Sequence, residues 1–213
     1  MEDIQIYYIA TPSIISNLKK QHIELDPLVR LGNKTFEELK NIINTSQEFC
    51  RDEKSITVNH LVNSLSSNFV LYAEKNNEVL GVLIFMFNET RSGDKFINFD
   101  GICSPKMYSG LGIGHNLIDM LIRIGKFNGI NYIKLECKGN IMNYYKKLGF
   151  VISEQKITYD SDEDSDDEGE PYYYMTLDLL TASGGKRKRK TKQNKTKKNK
   201  KSKKSKRKQT RKR

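Results

Sequence analysis

The strongest constraint on the fold is a change of hydrophobic period near residue 104. Upstream lie three apolar, β-branched runs, 69–74 (FVLYAE), 79–87 (VLGVLIFMF) and 95–103 (KFINFDGIC), parted by polar linkers. Runs of that length divided by turn-forming residues predict an antiparallel meander of three strands. Downstream, Ile113, Leu117, Met120, Leu121 and Ile124 recur at steps of four, three, one and three, one apolar face of a helix from Gly112 to near Asn128. Between the two periods stands a glycine-rich turn, 108–114 (YSGLGIG).

Other elements follow from local pattern. Residues 4–10 (IQIYYIA) predict a strand, and Thr11-Pro12-Ser13 opens a helix reaching about Gln21. Residues 35–49 place Phe36, Leu39, Ile42 and Ile43 on one helical face behind a capping box, Thr35 with Glu38. Val58, Leu61, Val62 and Leu65 predict a short helix over 57–66. After the long helix come a strand at 131–137, a short helix at 141–148, and strands at 150–159 and 172–179.

Charge is segregated along the chain. The 213 residues carry 37 Lys+Arg and 26 Asp+Glu, a formal net charge of +11. Residues 186–213 hold 19 Lys/Arg and no acid, while 160–170 (DSDEDSDDEGE) hold 8 acids and no base, which leaves 18 of each sign for the remainder. We therefore expect one domain over 1–180 with an acidic loop at 160–170, and a disordered polybasic tail at 181–213. The tail's natural partner is nucleic acid or another polyanion, and KRKRK at 186–190 also fits a nuclear-localisation sequence. The acidic loop can fold back on the tail, attract a basic substrate, or take phosphate at Ser161 and Ser165. The longest apolar run has nine residues, about half of what a membrane helix needs, so no membrane partner is expected. The start, MEDIQIYYIATPS, lacks the pattern of a secretory leader, which predicts an intracellular protein of the cytoplasm, nucleus or virion. Three widely spaced cysteines, Cys50, Cys103 and Cys137, are read as reduced core thiols.

The chemical signal is the glycine turn. Glycines there bring backbone N–H groups close to a ligand, and the following helix start adds unpaired N–H groups and a positive dipole end, a fit for phosphate oxygens. A tight connection without a ligand has the same composition. No Lys-Ser or Lys-Thr follows, which excludes a nucleoside-triphosphate loop. A dinucleotide fingerprint would need glycine where His115 stands, and would follow the first strand of a parallel unit.

Ser109-Gly-Leu-Gly-Ile-Gly114 resembles the Arg/Gln-Gly-x-Gly-Ile/Val-Gly/Ala loop of the GCN5-related N-acetyltransferase (GNAT) family. Tyr145-Lys-Lys-Leu-Gly-Phe150 is similar to that family's Tyr-x-Lys-Leu-Gly-Phe signature, and Ser104-Pro105 to its strand-end Val-x-Pro. The resemblance implies an α/β (α+β) fold with a mixed, mostly antiparallel central sheet flanked by helices. It also implies acetyl-CoA as cosubstrate, an amine acceptor, and no metal. Its pyrophosphate would lie on the backbone of Ser109, Gly110, Leu111, Gly112, Ile113 and Gly114, with the pantetheine arm between splayed strands 95–103 and 131–137 near Ile102 and Cys103. Tyr145 matches the tyrosine that protonates the departing thiolate, and Asp100 and Glu136, near the ends of the splayed strands, are the candidate bases. Three departures stand out. Ser109 replaces Arg/Gln, Met107 is an extra residue, and the family's asparagine falls on Lys138, with Asn140 shifted. His115 reads as a rim residue, and His22 and His60 show no partner pattern. The function implied is N-acetyl transfer by direct attack in a ternary complex, by a monomer or a dimer. The alternative is a nucleic-acid-binding or packaging protein whose acetyltransferase-like domain is not catalytic. The tail's simple composition also resembles appendages on proteins of giant DNA viruses.

Overall fold

The computed structural model describes residues 4–24, 29–46, 49, 58–65, 67–157 and 171–180. In chain order the elements are β1 (Gln5–Ile9), α1 (Pro12–Lys20), β2 (Arg30–Leu31), α2 (Phe36–Thr45), α3 (Val58–Leu65), β3 (Phe69–Lys75), β4 (Glu78–Glu89) and β5 (Lys95–Cys103). A single 3-10 turn (Lys106–Tyr108) leads to α4 (Ile113–Phe127), β6 (Tyr132–Lys138), α5 (Met142–Lys147), β7 (Val151–Ile157) and β8 (Pro171–Asp178). The strands form one sheet in the order β2-β1-β3-β4-β5-β6-β8-β7. Among the described residues only β1–β2 and β5–β6 are parallel pairs. The α/β class with a mostly antiparallel, helix-flanked sheet is thus the observed one.

Both faces of the central strands are covered, which is why β3 and β4 read as continuous apolar runs rather than alternating ones. On one face α4 buries Ile113, Leu117, Ile118, Leu121 and Ile124 against Leu71, Leu83, Ile97, Phe99, Ile133 and Leu135. On the other, α2 and α3 bury Leu39, Ile43, Leu61 and Leu65 against Val70, Tyr72, Val82 and Ile84. Each fully buried side chain of this size contributes about 1.5–3 kcal/mol. Gly81 of β4 lets α4 approach the sheet, because a Cβ there would lie 2.8 Å from Ile113 Cγ2.

Local chemistry sets the element ends. The capping box of α2 is complete: Glu38 N–H donates to Thr35 Oγ1 at 3.2 Å, and Thr35 N–H donates to Glu38 Oε2 at 2.6 Å. The Thr35 N–H and then the Thr35 hydroxyl, which donates to the same Oε2 at 2.9 Å, hold the Glu38 carboxyl below its ordinary pKa. The helix stops at Thr45, short of the expected 49. There the Thr45 hydroxyl turns back to the Asn41 carbonyl at 2.7 Å, and Ser46 adopts an extended backbone. The hairpin between β3 and β4 turns through Asn76 and Asn77, both at positive φ, as a two-residue turn requires. Strand β2 and the 3-10 turn have no signal in the sequence, being too short to carry a period.

Strand β5 contains one irregularity. Ile84 pairs with Gly101 and Phe85 with Phe99, so Asp100 is an extra, bulged residue. The bulge reverses the alternation. Ile97 and Phe99 join the α4-side core, but beyond the bulge Ile102 packs on that side and Cys103 joins the α2/α3 side.

The reading of all cysteines as reduced needs correction. Cys137 is buried and free, whereas Cys103 is disulfide-bonded, and Cys50 lies outside the described residues. Separation along the chain does not report which thiols the fold brings together. The acidic loop, the tail and the expected strand end at 158–159 also lie outside the described residues. Among the described residues no helix is long and apolar enough to cross a membrane.

Candidate active site

The site begins where β5 and β6 diverge. Their parallel pairing covers only four positions, from Phe96 opposite Tyr132 to Phe99 opposite Leu135. Past that point β5 stays paired with β4 through Cys103, and β6 stays paired with β8 through Lys138, but the two strands no longer pair with each other. The divergence starts at the Asp100 bulge, since an extra residue bends its strand and raises the local twist. The result is a cleft whose two walls are strand edges, β5 on one side and β6 on the other.

At the end of β5 the chain passes through the 3-10 turn into the glycine loop. Gly110 and Gly112 adopt φ of 82° and 76°, a left-handed backbone that costs other residues about 1–2 kcal/mol. A Cβ at either would meet open space, so backbone conformation rather than packing calls for glycine there. Gly112 is the N-cap of α4, and among the described residues no side chain caps the helix. The first N–H groups of α4 therefore face outward, with the positive end of the helix dipole behind them. Ile113 anchors this turn in the core, while Ser109 and Leu111 are exposed. Tyr144 lies against the same turn. Its hydroxyl oxygen is 3.0 Å from where a Cβ on Gly114 would sit, and the Ile102 Cδ1 is 3.5 Å from it.

Tyr145, on α5, lies inside an aromatic cage. Its ring meets Phe99 at 5.9 Å, Tyr144 at 5.2 Å and Phe150 at 5.8 Å between centroids, all edge to face. Burial holds its phenol well above the ordinary tyrosine range, with smaller contributions from Tyr144 and Cys137. Tyr145 is thus protonated, a donor, at neutral pH. Cys137 points into the same region, its Sγ 3.5 Å from the Met175 sulfur. Burial, then the Glu136 charge, raises its thiol to about 11, so it is no nucleophile at neutral pH.

The two candidate bases flank the cleft from opposite strands, directly beyond the last β5–β6 pair. Glu136 is exposed on β6. Asp100 is more sheltered and is met by His60 from α3, Nε2 to Oδ2 at 3.4 Å. Asn140 stands exposed in the turn after β6, with no side-chain hydrogen bond among the described residues. His115 is exposed in the first turn of α4 and pairs with Asp119 at 3.2 Å. Three features had no signal in the sequence: the His60–Asp100 contact, forty residues apart; Tyr144 over Gly114; and the Tyr108 hydroxyl donating to the Glu78 carboxylate beside the loop. Among the described residues no group of three or more His, Cys, Asp or Glu side chains is placed to hold a metal.

With this geometry in hand, the comparisons with known proteins are specific. The model of the acetyltransferase (GNAT) family matches residues 36–150, more than half of the chain, from α2 to the phenylalanine after α5. Among curated proteins none matches significantly. The fold is similar to that of a GNAT family acetyltransferase from Elizabethkingia anophelis with acetyl-CoA bound, at a TM-score of 0.51 and 14% identity, covering 84% of this chain and 99% of that one. It is likewise similar to an N-acetyltransferase from Staphylococcus aureus Mu50, at 0.51 and 14%, covering 84% and 99%. An IAA acetyltransferase from Bacillus cereus gives 0.50 and 15%, covering 83% and 99%. At these identities the likeness to the solved structures is one of fold. None of the comparisons supports the tail's resemblance to viral proteins.

The buried phenol yields a prediction with a definite sign. Because the folded-state pKa of Tyr145 is raised, the native protein keeps a proton that the unfolded chain loses above about pH 10. Stability therefore falls as pH rises past about 10, and Tyr145→Phe is expected to make that fall shallower in urea melts between about pH 9 and about pH 11. An unchanged slope would contradict the burial.

Proposed function

We propose, from the premise that the chain belongs to the acetyltransferase (GNAT) family, that residues 1–180 form an N-acetyltransferase using acetyl-CoA as cosubstrate. The observation that carries this reading is the divergence of β5 and β6 beside the uncapped N-terminus of α4. A pyrophosphate suits the N–H groups at the start of α4, which need an acceptor and supply a partial positive charge, whereas the Ser109 and Leu111 N–H groups already donate to the Lys106 and Tyr108 carbonyls at 2.9 and 3.2 Å. A pantetheine arm, with its two amides, suits the cleft that opens past Phe99 and Leu135, with Ile102 and Cys103 of β5 along one wall.

Transfer then runs as direct attack. The neutral amine nitrogen forms a bond to the thioester carbon, the C–S bond breaks, and the electron pair goes to sulfur. The proton lost by nitrogen passes to a carboxylate of the cleft, Asp100 or Glu136. Tyr145 meets the departing sulfur. Burial places its phenol above the thiol range of about 8.5, so it stabilises the thiolate as a hydrogen-bond donor, and the same burial keeps it in the donor state. A covalent acetyl-cysteine route is disfavoured, because Cys137 is held protonated.

The tail at 181–213 has a separate role in this proposal. Its 19 positive charges from residue 186 onward bind a polyanion, and the formally neutral remainder of the chain does not. Retention on double-stranded DNA should fall by about 10³–10⁵-fold between about 50 and about 200 mM salt if six to ten phosphates are engaged. Deleting 186–213 should remove that retention, and unchanged retention would refute the tether.

For the transferase, acetyl-CoA at about 100 times its Kd should stabilise the protein by about 2.7 kcal/mol in thermal unfolding. Gly112→Val should abolish that shift by straining the loop. Tyr145→Phe should keep it while lowering turnover by about 10²–10³-fold. No shift with the unaltered protein at saturating acetyl-CoA would sink the reading.

A further inference from the structure

The bulge at Asp100 does more than separate β5 from β6. As the extra residue of β5 it sits at the apex of the cleft, and its carboxylate meets a side chain from another layer of the fold. That side chain is His60, in the first turn of α3, with Nε2 3.4 Å from Asp100 Oδ2. The exposures form a gradient: the Asp100 side chain is 25% exposed and that of His60 54%. Imidazole is the side chain that both takes up and releases a proton near neutral pH. Helix α3 (VNHLVNSL) brings no other titratable group, and the acid across the cleft is Glu136.

We infer that Asp100 and His60 form a proton relay for the acetyl transfer, with Asp100 taking the proton of the attacking amine and His60 carrying it to solvent. The inference rests on the acetyltransferase reading and names one carboxylate of the two left open there. The steps balance. As the neutral amine forms its bond to the thioester carbon and the C–S bond breaks with its electron pair going to sulfur, the amine's N–H bond breaks and an O–H bond forms on Asp100. The carboxyl proton then moves to Nε2 of a neutral imidazole, leaving a carboxylate paired with an imidazolium. The half-exposed imidazolium releases the proton to water, which restores the starting state. Glu136 is exposed and exchanges protons with water directly, so it needs no relay. A sheltered Asp100 does, and the fold supplies one. A contact of 3.4 Å is in keeping with catalytic pairs before substrate arrives, which commonly tighten once it is bound. In this scheme His60 is a positioning and proton-carrying residue that touches Asp100 and not the reacting carbon.

The test uses the full chain with acetyl-CoA and three amine probes: spermidine, a peptide with an internal lysine and a blocked N-terminus, and a lysine-free peptide with a free α-amine. CoA release is followed with a thiol reagent. Asp100→Asn is expected to lower kcat by about 10²–10³-fold, and His60→Ala by about 10-fold or more, with the amine KM within about twofold of the unaltered chain. The thermal shift given by acetyl-CoA stays as in the unaltered chain for both variants. Added imidazole restores turnover to His60→Ala and leaves Asp100→Asn unchanged, which a merely structural role of His60 does not predict. Glu136→Gln is expected to lose less turnover than Asp100→Asn. A His60→Ala variant with the unaltered kcat, or with a loss that imidazole does not relieve, overturns the relay. A fall in Glu136→Gln in place of Asp100→Asn overturns the choice of carboxylate. No CoA release by the unaltered chain with any of the three amines overturns the transferase reading itself.

Discussion

The structure depends on a parallel pair of strands that fails after four residues. Strands β5 and β6 are joined through the α4 crossover and held in register from Phe96 to Phe99, then released by one bulged residue, Asp100. Each strand remains fixed by its outer neighbour, β4 on one side and β8 on the other, so the gap is held open by pairing on both flanks rather than by loose chain. A sheet that opens in its middle exposes polar backbone, whose groups water or a guest can satisfy. The start of α4 leaves the same need from its own direction. Gly112 ends the turn without a capping side chain among the described residues, and α4 starts with unpaired N–H groups at the foot of the gap.

Around these two openings the rest of the domain acts as a frame. Helix α4 is pinned by an apolar face packed on one side of the sheet, and Gly81 permits its first turn to sit close. Helices α2 and α3 cover the other side and bring His60 to Asp100. Tyr145 is fixed by Phe99 of β5 and Phe150, so the phenol is tied to the strand that forms one wall of the cleft. Local dipoles and a few titratable groups, not net charge, set the electrostatics of the cleft. The excess of +11 comes from residues beyond 180 and is formally absent from the remainder once the acidic loop is set aside. The net basic charge and the candidate site are thus on different stretches of the chain.

Much of this was legible in the sequence because it is periodic or stereochemical. The runs 69–74, 79–87 and 95–103 became β3, β4 and β5, and the spacing from Ile113 to Ile124 became the buried face of α4. The Thr35–Glu38 pair formed its capping box. The glycines at 110 and 112 took up left-handed conformations. What escaped is non-local. The bulge at Asp100 exists only in register with β4, and nothing in KFINFDGIC alone marks which residue is extra. His60 meets Asp100 across forty residues, Tyr144 reaches Gly114 from another helix, and Cys103 has a disulfide that cysteine spacing argued against. β2 is two residues long and owes its existence to the neighbouring β1.

The most direct test of the central claim is amide hydrogen exchange of the full chain with and without acetyl-CoA. If the cleft and the uncapped helix start are the guest's partners, exchange slows on adding acetyl-CoA at residues 101–103 of β5 and 110–115 of the loop and first turn of α4. The outer strands β1 and β7 should be unaffected. Protection confined to other regions of the chain, or none at saturating acetyl-CoA, would contradict the account.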